Sequence, residues 1–406
     1  MKRDKAEIVV IGGGIIGAAT TYYLAKEGRG AVLLEKRYLA SEASGSNGGG
    51  IGGIGSGRHT DLERYRFSQL RDLSYQIYRN LSDEIGTDIE YYPQGGMILI
   101  RPQEFETFMV IMNKRISEGY NLRYITPEEA RNLEPALTGD IAGAILQPDR
   151  GSANPLHTTR GYGEAARKYG AKVFTQSEVR GIRVSKGKIQ AVETDQGVIS
   201  TNIVVNAAGA WSPEIARMVG LQIPIIPRRG QMFVTQAVPK ILAHFIGVAE
   251  STIGRLNREK MEEFDTPDYP AVVDGYVYYR VLYGRQTLHG QIQFGGRSEF
   301  IGMDKAVTPA GIGSVAEHVI EFFPRFKNFP VIRTWAGIMP YTPDGRPIMG
   351  PAPEVEGFFF ATGNCGGGFG VGAIFGKLMA GLINKGDRPG IFNDLSPSRF
   401  NNNGKK

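Results

Sequence analysis

At 406 residues with 41% apolar content, the chain is long enough for two or three domains with full-sized cores. Its 47 basic and 41 acidic residues leave a net charge of +6. They are interspersed, which argues against the concentrated basic stripe of a nucleic-acid binder and leaves a mild pull on anionic partners. The one cysteine, Cys365, excludes an internal disulfide framework and suits a reducing compartment, and five scattered histidines argue against a metal site. Unbroken apolar runs fall short of the roughly 18 residues that span a bilayer, so no integral membrane span is expected. Met1 to Ala6 is charged and runs straight into a strand, which argues against a signal peptide. The expected location is the cytoplasm, with contact to an acidic membrane face left open.

Residues 7–36 read as strand, glycine turn, helix, strand. Glu7 to Ile11 is a short apolar run, Ile15 to Lys26 has helical spacing, and Ala31 to Leu34 is again strand-like. Between the first two, Gly12, Gly14 and Gly17 form a GxGxxG pattern: a tight turn, a close backbone approach to a pyrophosphate, and close helix packing. Amides at the start of the helix, at Ile15 and Ile16, then face the phosphates. Glu35 closes the second strand 18 residues after Gly17, placed to accept from a ribose diol. The motif alone does not choose between NAD and FAD.

Residues 40–58 form a loop rich in glycine and serine, suited to backbone packed against a flat ligand. It ends at Arg58, a cation placed to meet a carboxylate or a reduced ring. The spacing predicts one long amphipathic helix over Leu62 to Ile85, an alternating stretch over Asp88 to Ile100, a helix over Glu104 to Ser117, and a capping box at Thr126 with Glu129. A helix over His157 to Tyr169 and strands at 172–175, 179–184 and 189–193 follow. Ile203 to Ala207 reads as a buried strand ending in Ala208-Gly209-Ala210-Trp211, with Ser212 as the cap of the next helix. Strands at 225–234, 276–281 and 291–295 come next, with a polar excursion over 250–269. A capped helix over Thr308 to Phe323, a proline-rich turn over 340–353, a buried strand at 357–361 and a glycine loop over 363–372 leading into a final helix complete the chain. NAD needs one glycine turn at a helix start; FAD, with pyrophosphate at one end and a ring far away, makes sense of two.

Together, Val10 to Gly17 with Glu35, the 44–49 loop, VVNAAGAW at 204–211, WAGIMPYTPDGRPIMG at 335–350 and TGNCGGGF at 362–369 resemble the D-amino-acid oxidase family of flavoproteins. The likeness is greatest to its branch of sarcosine oxidase β-subunits, glycine oxidases and dye-linked proline dehydrogenases. The resemblance implies an α/β fold, α+β overall: a Rossmann-like FAD-binding domain from 1–86, 146–223 and 331–395, a mainly antiparallel-sheet substrate domain from 87–145 and 224–330, and a polar tail over 396–406. It implies FAD held through Gly12, Gly14, Ile15, Ile16, Gly17, Glu35 and Lys36 at the ADP half. Ser44, Ser46, Asn47, Gly48 and Gly49 would lie along the ring or ribityl chain, and Val179, Ala208, Gly209 and Trp211 would pack on the cofactor. Gly337, Met339, Gly363, Asn364, Gly366, Gly367, Gly368 and Phe369 would sit by the isoalloxazine.

The implied chemistry is hydride removal from the carbon beside an amine nitrogen of an amino acid such as proline, sarcosine, glycine or an opine, giving an imine that hydrolyses. Electrons would pass to oxygen, a quinone or dye, or a partner subunit. The chain departs from the family where an arginine often binds the substrate carboxylate, here Met339, and where some relatives carry a flavin-linking cysteine, so FAD is expected to be non-covalent. The remaining candidates at the substrate are Arg58, Arg280, Arg229 and Tyr279, with Tyr276 and Tyr278. Alternatives are a glycerol-3-phosphate-type alcohol oxidase, or a flavin-binding subunit inactive without partners.

Overall fold

The computed structural model describes residues 4–53, 62–63, 65–251, 253, 270–273 and 276–404. One sheet has six strands, in the order Ile348–Pro351, Phe358–Thr362, Ile203–Asn206, Ile8–Ile11, Ala31–Leu34 and Lys172–Phe174. Its pairings are parallel except between the first two. Every residue of Ile8–Ile11 and Ala31–Leu34 is buried, as parallel strands covered on both faces require. On one side Tyr22, Leu24, Tyr162 and Phe375 from three helices join the core. On the other, Val9, Val32 and Phe358 pack with Ile182, Val192 and Ile199 of a small four-stranded sheet.

The helix Gly368–Lys385 lies against Ile15–Lys26 through small residues. An added Cβ at Gly372 would stand 2.6 Å from Ile15, and one at Gly376 would stand 2.5 Å from Ala19. By length and composition, Cys365–Lys385 is apolar enough to cross a membrane, yet 61% of its most apolar window is buried inside the protein. Its apolarity is therefore used in packing.

The second sheet runs Val331–Tyr341, Ile226–Ala237, Gln291–Glu299, Tyr276–Gln286, Phe245–Val248, Gly96–Ile100, Gly143–Gln147 and Arg123–Ile125, with Pro270–Val273 paired onto Tyr276–Gln286. It is antiparallel except where Phe245–Val248 meets Gly96–Ile100. Phe294, Phe322 and Phe323 centre its core beneath the helix Pro309–Phe322.

Four local expectations change. The helix over 62–85 is two helices, Phe67–Arg79 and Leu81–Ile85, because Asn80, a weak helix former, leaves helical geometry at φ −116°. Only Gly96–Ile100 of the alternating stretch pairs as a strand. Ser212 does not cap: it lies inside the helix Ser212–Arg217 and its hydroxyl donates to Thr362 Oγ1 at 2.9 Å. The last glycine loop is shorter than read, since a single turn at Cys365–Gly367 leads straight into the helix at Gly368. The capping box at Thr126 forms as spaced, with both reciprocal bonds present. Of the excursion over 250–269, Glu250, Ser251 and Ile253 are described; the rest lies outside the described residues.

Candidate active site

A cavity of about 570 Å³ is lined by residues of both sheets and their loops, within the usual range for small-molecule sites. At one end Gly12 adopts φ +112°, and a Cβ there would lie 2.5 Å from the Ala207 carbonyl oxygen. A Cβ at Gly17 would lie 1.9 Å from the Gly12 carbonyl oxygen, so backbone meets backbone and no larger residue fits. Gly17 itself stands behind the cavity wall, as a packing glycine should.

Glu35 is fixed by two amides: Gly13 donates to Oε2 and Arg37 to Oε1, each at 2.7 Å. The remaining lone pairs are available to a diol. Lys36 Nζ sits 5.6 Å from the Trp211 ring centre. Both line this end with Val179, Ala208 and Gly209. The Ile15 amide is not free as expected, because it donates to Ser44 Oγ at 2.9 Å.

The 44–50 loop forms the middle of the wall. Asn47 acts as its brace: its side-chain nitrogen donates to the Ala43 and Ser44 carbonyls and its oxygen accepts from Gly49. Gly49 is turned away against Ala153, whereas Ser44, Ser46, Asn47 and Gly48 line the cavity. Trp335 Nε1 donates to the Ser46 carbonyl at 3.1 Å, and a Cβ at Gly337 would stand 3.1 Å from Ser46. Loop and sheet therefore close on one another. Met339, Asn364, Gly366, Gly367, Gly368 and Phe369 complete the wall, while Gly363, at φ +74°, shapes the turn from behind. Cys365 also lines the cavity; its sulfur donates toward the Gly363 carbonyl at 3.5 Å and is 3.8 Å from the Thr342 hydroxyl.

The residues fit FAD on two kinds of observation. Gly12, Gly48 and Gly337 line the cavity at places where neighbouring protein atoms leave no room for a side chain, so bare backbone forms that part of the wall. Ser177 Oγ at the Glu35 end, and both polar atoms of Asn364 at the other, line the cavity buried and have no hydrogen-bond partner among the described residues. Such groups call for a ligand.

The substrate end corrects the sequence reading. Arg58 and the side chains of Tyr276, Tyr278, Tyr279 and Arg280 lie outside the described residues. Arg229 is not available: its guanidinium donates to Glu299 at 2.7 and 2.9 Å, to Asp304 at 3.2 Å and to the Ala306 carbonyl at 2.7 Å. Burial alone would push the Glu299 carboxyl up, but the bonds from Arg229, Arg297 and Gln231 prevail and hold it below the ordinary glutamate range. In its place Arg228 lines the cavity, 1% exposed, its guanidinium 4.6 Å from the Tyr341 ring centre and 5.1 Å from that of Phe300.

Arg71 and Arg150 line the cavity too and both donate to the Gly52 carbonyl; Arg150 also stacks 4.1 Å over Phe245. Met232 and Tyr283, joined by a contact of 3.6 Å, wall the same chamber. These residues come from the helix Phe67–Arg79 and from separated strands, and single-sequence spacing carries no signal for their meeting. Among the described residues no cluster of histidine, cysteine and acidic side chains could hold a metal.

The sequence model of the family described as FAD dependent oxidoreductase matches residues 7–382. Mitochondrial dimethylglycine dehydrogenase of Mus musculus is 28% identical over 98% of this chain and 44% of its own length. The chain thus spans less than half of that relative. Glycine oxidase of Bacillus subtilis is 27% identical over 94% of each chain. Among solved structures, L-proline dehydrogenase from P. horikoshii superposes with a TM-score of 0.81 at 28% identity, covering 98% of both chains.

Proposed function

This chain belongs to the FAD dependent oxidoreductase family, and on that premise we propose that it oxidises the C–N bond of a small amino acid or N-methyl amino acid. The observation that carries the reading is one continuous cavity, from Glu35 and Trp211 to a chamber walled by Met232, Phe245 and Tyr283. The relatives are named for dimethylglycine, glycine and L-proline, which share a C–H bond beside an amine nitrogen.

Bound FAD supplies a hydride acceptor. The chain's own part is position and environment. Gly12 and Gly14 admit the pyrophosphate, Glu35 meets the ribose, and Ser177 and Asn364 offer buried polar atoms to the cofactor. The start of helix Gly368–Lys385 faces the cavity through Gly368 and Phe369, where its dipole favours negative charge on a reduced ring. A Cβ at Gly48 would stand 2.9 Å from the Tyr283 ring, so the loop and the strand meet there with no room for a side chain. Orientation of the substrate against the ring then lowers the barrier.

FAD is held without a covalent bond, a reading supported by Met339 in the turn and by Cys365 facing Gly363 and Thr342; acid precipitation should release yellow flavin into the supernatant. The function is tested by anaerobic mixing of the flavin-loaded protein with amino acids, N-methyl amino acids and opines. Bleaching by at least one supports it. A flavin that stays yellow with the whole panel, or bleaches only with glycerol 3-phosphate, rejects it.

A further inference from the structure

The helix Gly368–Lys385 opens on weak helix formers: Gly368, Gly370 and Gly372 are three of its first five residues, each costing about 1 kcal/mol against alanine. Its N-cap is Gly367, no side chain caps it among the described residues, and its first turn carries no acid. That turn faces the cavity through Gly368, Phe369 and Gly370. With glycine on either side of Phe369, its peptide planes swivel unless something outside the helix holds them.

Tyr78 supplies the hold. It lies on the helix Phe67–Arg79, fully buried behind the cavity wall, and its hydroxyl donates to the Phe369 carbonyl at 2.7 Å. The two rings also pack, their centres 5.5 Å apart and their planes at 51°. The carbonyl of Phe369 and the amide of Gly370 belong to one planar peptide unit, so fixing the first fixes the second. In a helix that amide points toward the N-terminus, here the cavity end. A donor on the carbonyl also polarises the amide of the same unit.

Burial pushes the Tyr78 phenol well above its ordinary value, and the neighbouring Tyr23 acts in the same direction, so the hydroxyl stays neutral and donating. The same end of the cavity is lined by Asn364, 3% exposed, whose two polar atoms have no partner among the described residues. That is an independent sign that a polar partner is met there.

We propose that Tyr78 is a positioning residue for flavin reduction: by holding the Phe369–Gly370 peptide it aims the first turn of the last helix at the negative charge of a reduced ring, and so raises the flavin's potential without touching the cofactor. This rests on the reading that the cavity holds FAD with its ring at the Asn364 end.

The test uses the flavin-loaded protein and needs no substrate. The Kd for oxidised FAD is measured by flavin fluorescence, and the two-electron potential by reductive titration beside a dye of known potential. Tyr78→Phe keeps the ring packing and loses only the donor. It should bind oxidised FAD within about 2-fold of wild type and reduced FAD about 10-fold more weakly, which lowers the potential by about 30 mV. Tyr162→Phe is the control: Tyr162 is fully buried in the same core but packs on Tyr22 and Tyr23, so losing its hydroxyl should leave the potential at the wild-type value. If Tyr78→Phe cannot be isolated with flavin, 3-fluorotyrosine at position 78 serves, because a more acidic hydroxyl donates more strongly and should raise the potential above wild type. A potential unchanged in the position-78 variant, or lowered equally by Tyr162→Phe, makes Tyr78 a packing residue and overturns the proposal while leaving FAD binding in place. A wild type that takes up no FAD overturns the reading of the cavity itself.

Discussion

The Ile15 amide donates to the hydroxyl oxygen of Ser44, 29 positions further along the chain, at 2.9 Å. The helix that opens the dinucleotide turn has no cap from its own preceding residue, Gly14, which must stay small. A loop that itself lines the cavity supplies the cap. Ser44→Ala should therefore loosen the helix start and the loop together. A lost cap costs about 1 kcal/mol, so retention of FAD is expected to weaken roughly 5-fold, measured by equilibrium dialysis with flavin fluorescence. Unchanged retention would show that the two elements are independent.

Gly17→Ala should be far worse. The added methyl would stand 1.9 Å from the Gly12 carbonyl oxygen and 3.4 Å from the Ala207 side chain, and backbone cannot step aside as a flexible side chain does. A loss of about 3 kcal/mol or more is expected, read as a lower urea midpoint and as protein isolated without flavin. Gly28→Ala, at φ +82° with nothing within 4 Å, is the control: it should lose only the conformational term and keep its flavin.

Asn364→Ala separates the stability of the protein alone from that of the flavin complex. Both polar atoms of Asn364 are buried with no partner among the described residues, a burden of about 1–3 kcal/mol that a ligand would lift. The rise in Tm on adding FAD should shrink in the variant, while the flavin-free protein loses little. An equal rise in both proteins would place Asn364 away from the cofactor.

Acid sensitivity should trace to Glu299. Its carboxyl is held below the ordinary value of 4.5 by Arg229, Arg297 and Gln231 against the effect of burial. The folded pKa lies below the unfolded one, so this group's stabilisation is complete above about pH 5 and is lost as pH falls through the folded value. Glu299→Gln leaves Arg229 and Arg297 facing a neutral group, a loss of about 3 kcal/mol at neutral pH. The gap in urea stability between wild type and variant should narrow steadily as pH falls below about 5. A gap that stays constant with pH would remove Glu299 from the acid response.

The local chemistry was legible in the sequence because it is decided within a few residues. The glycine turn at Gly12 to Gly17, the acid at Glu35, the capping box at Thr126 and the second glycine turn at Gly366 to Gly368 each depend on spacing along one stretch, and each is where the spacing put it. Other features depend on partners far away in the chain. Ser212, for instance, gives up a cap to bond Thr362, 150 residues on.

The adjacent arginines show the boundary most clearly. In sequence Arg228 and Arg229 are equivalent, and a strand guarantees only that they face opposite ways. Which face looks onto the cavity was settled when Glu299, from another strand, took Arg229 and left Arg228 toward Tyr341 and Phe300. Sequence by itself determined that this chain holds a dinucleotide, because close backbone approach is written in glycines. Only the tertiary structure decided which cation faces the cavity, because pairing charge across strands is a long-range choice that no local spacing encodes.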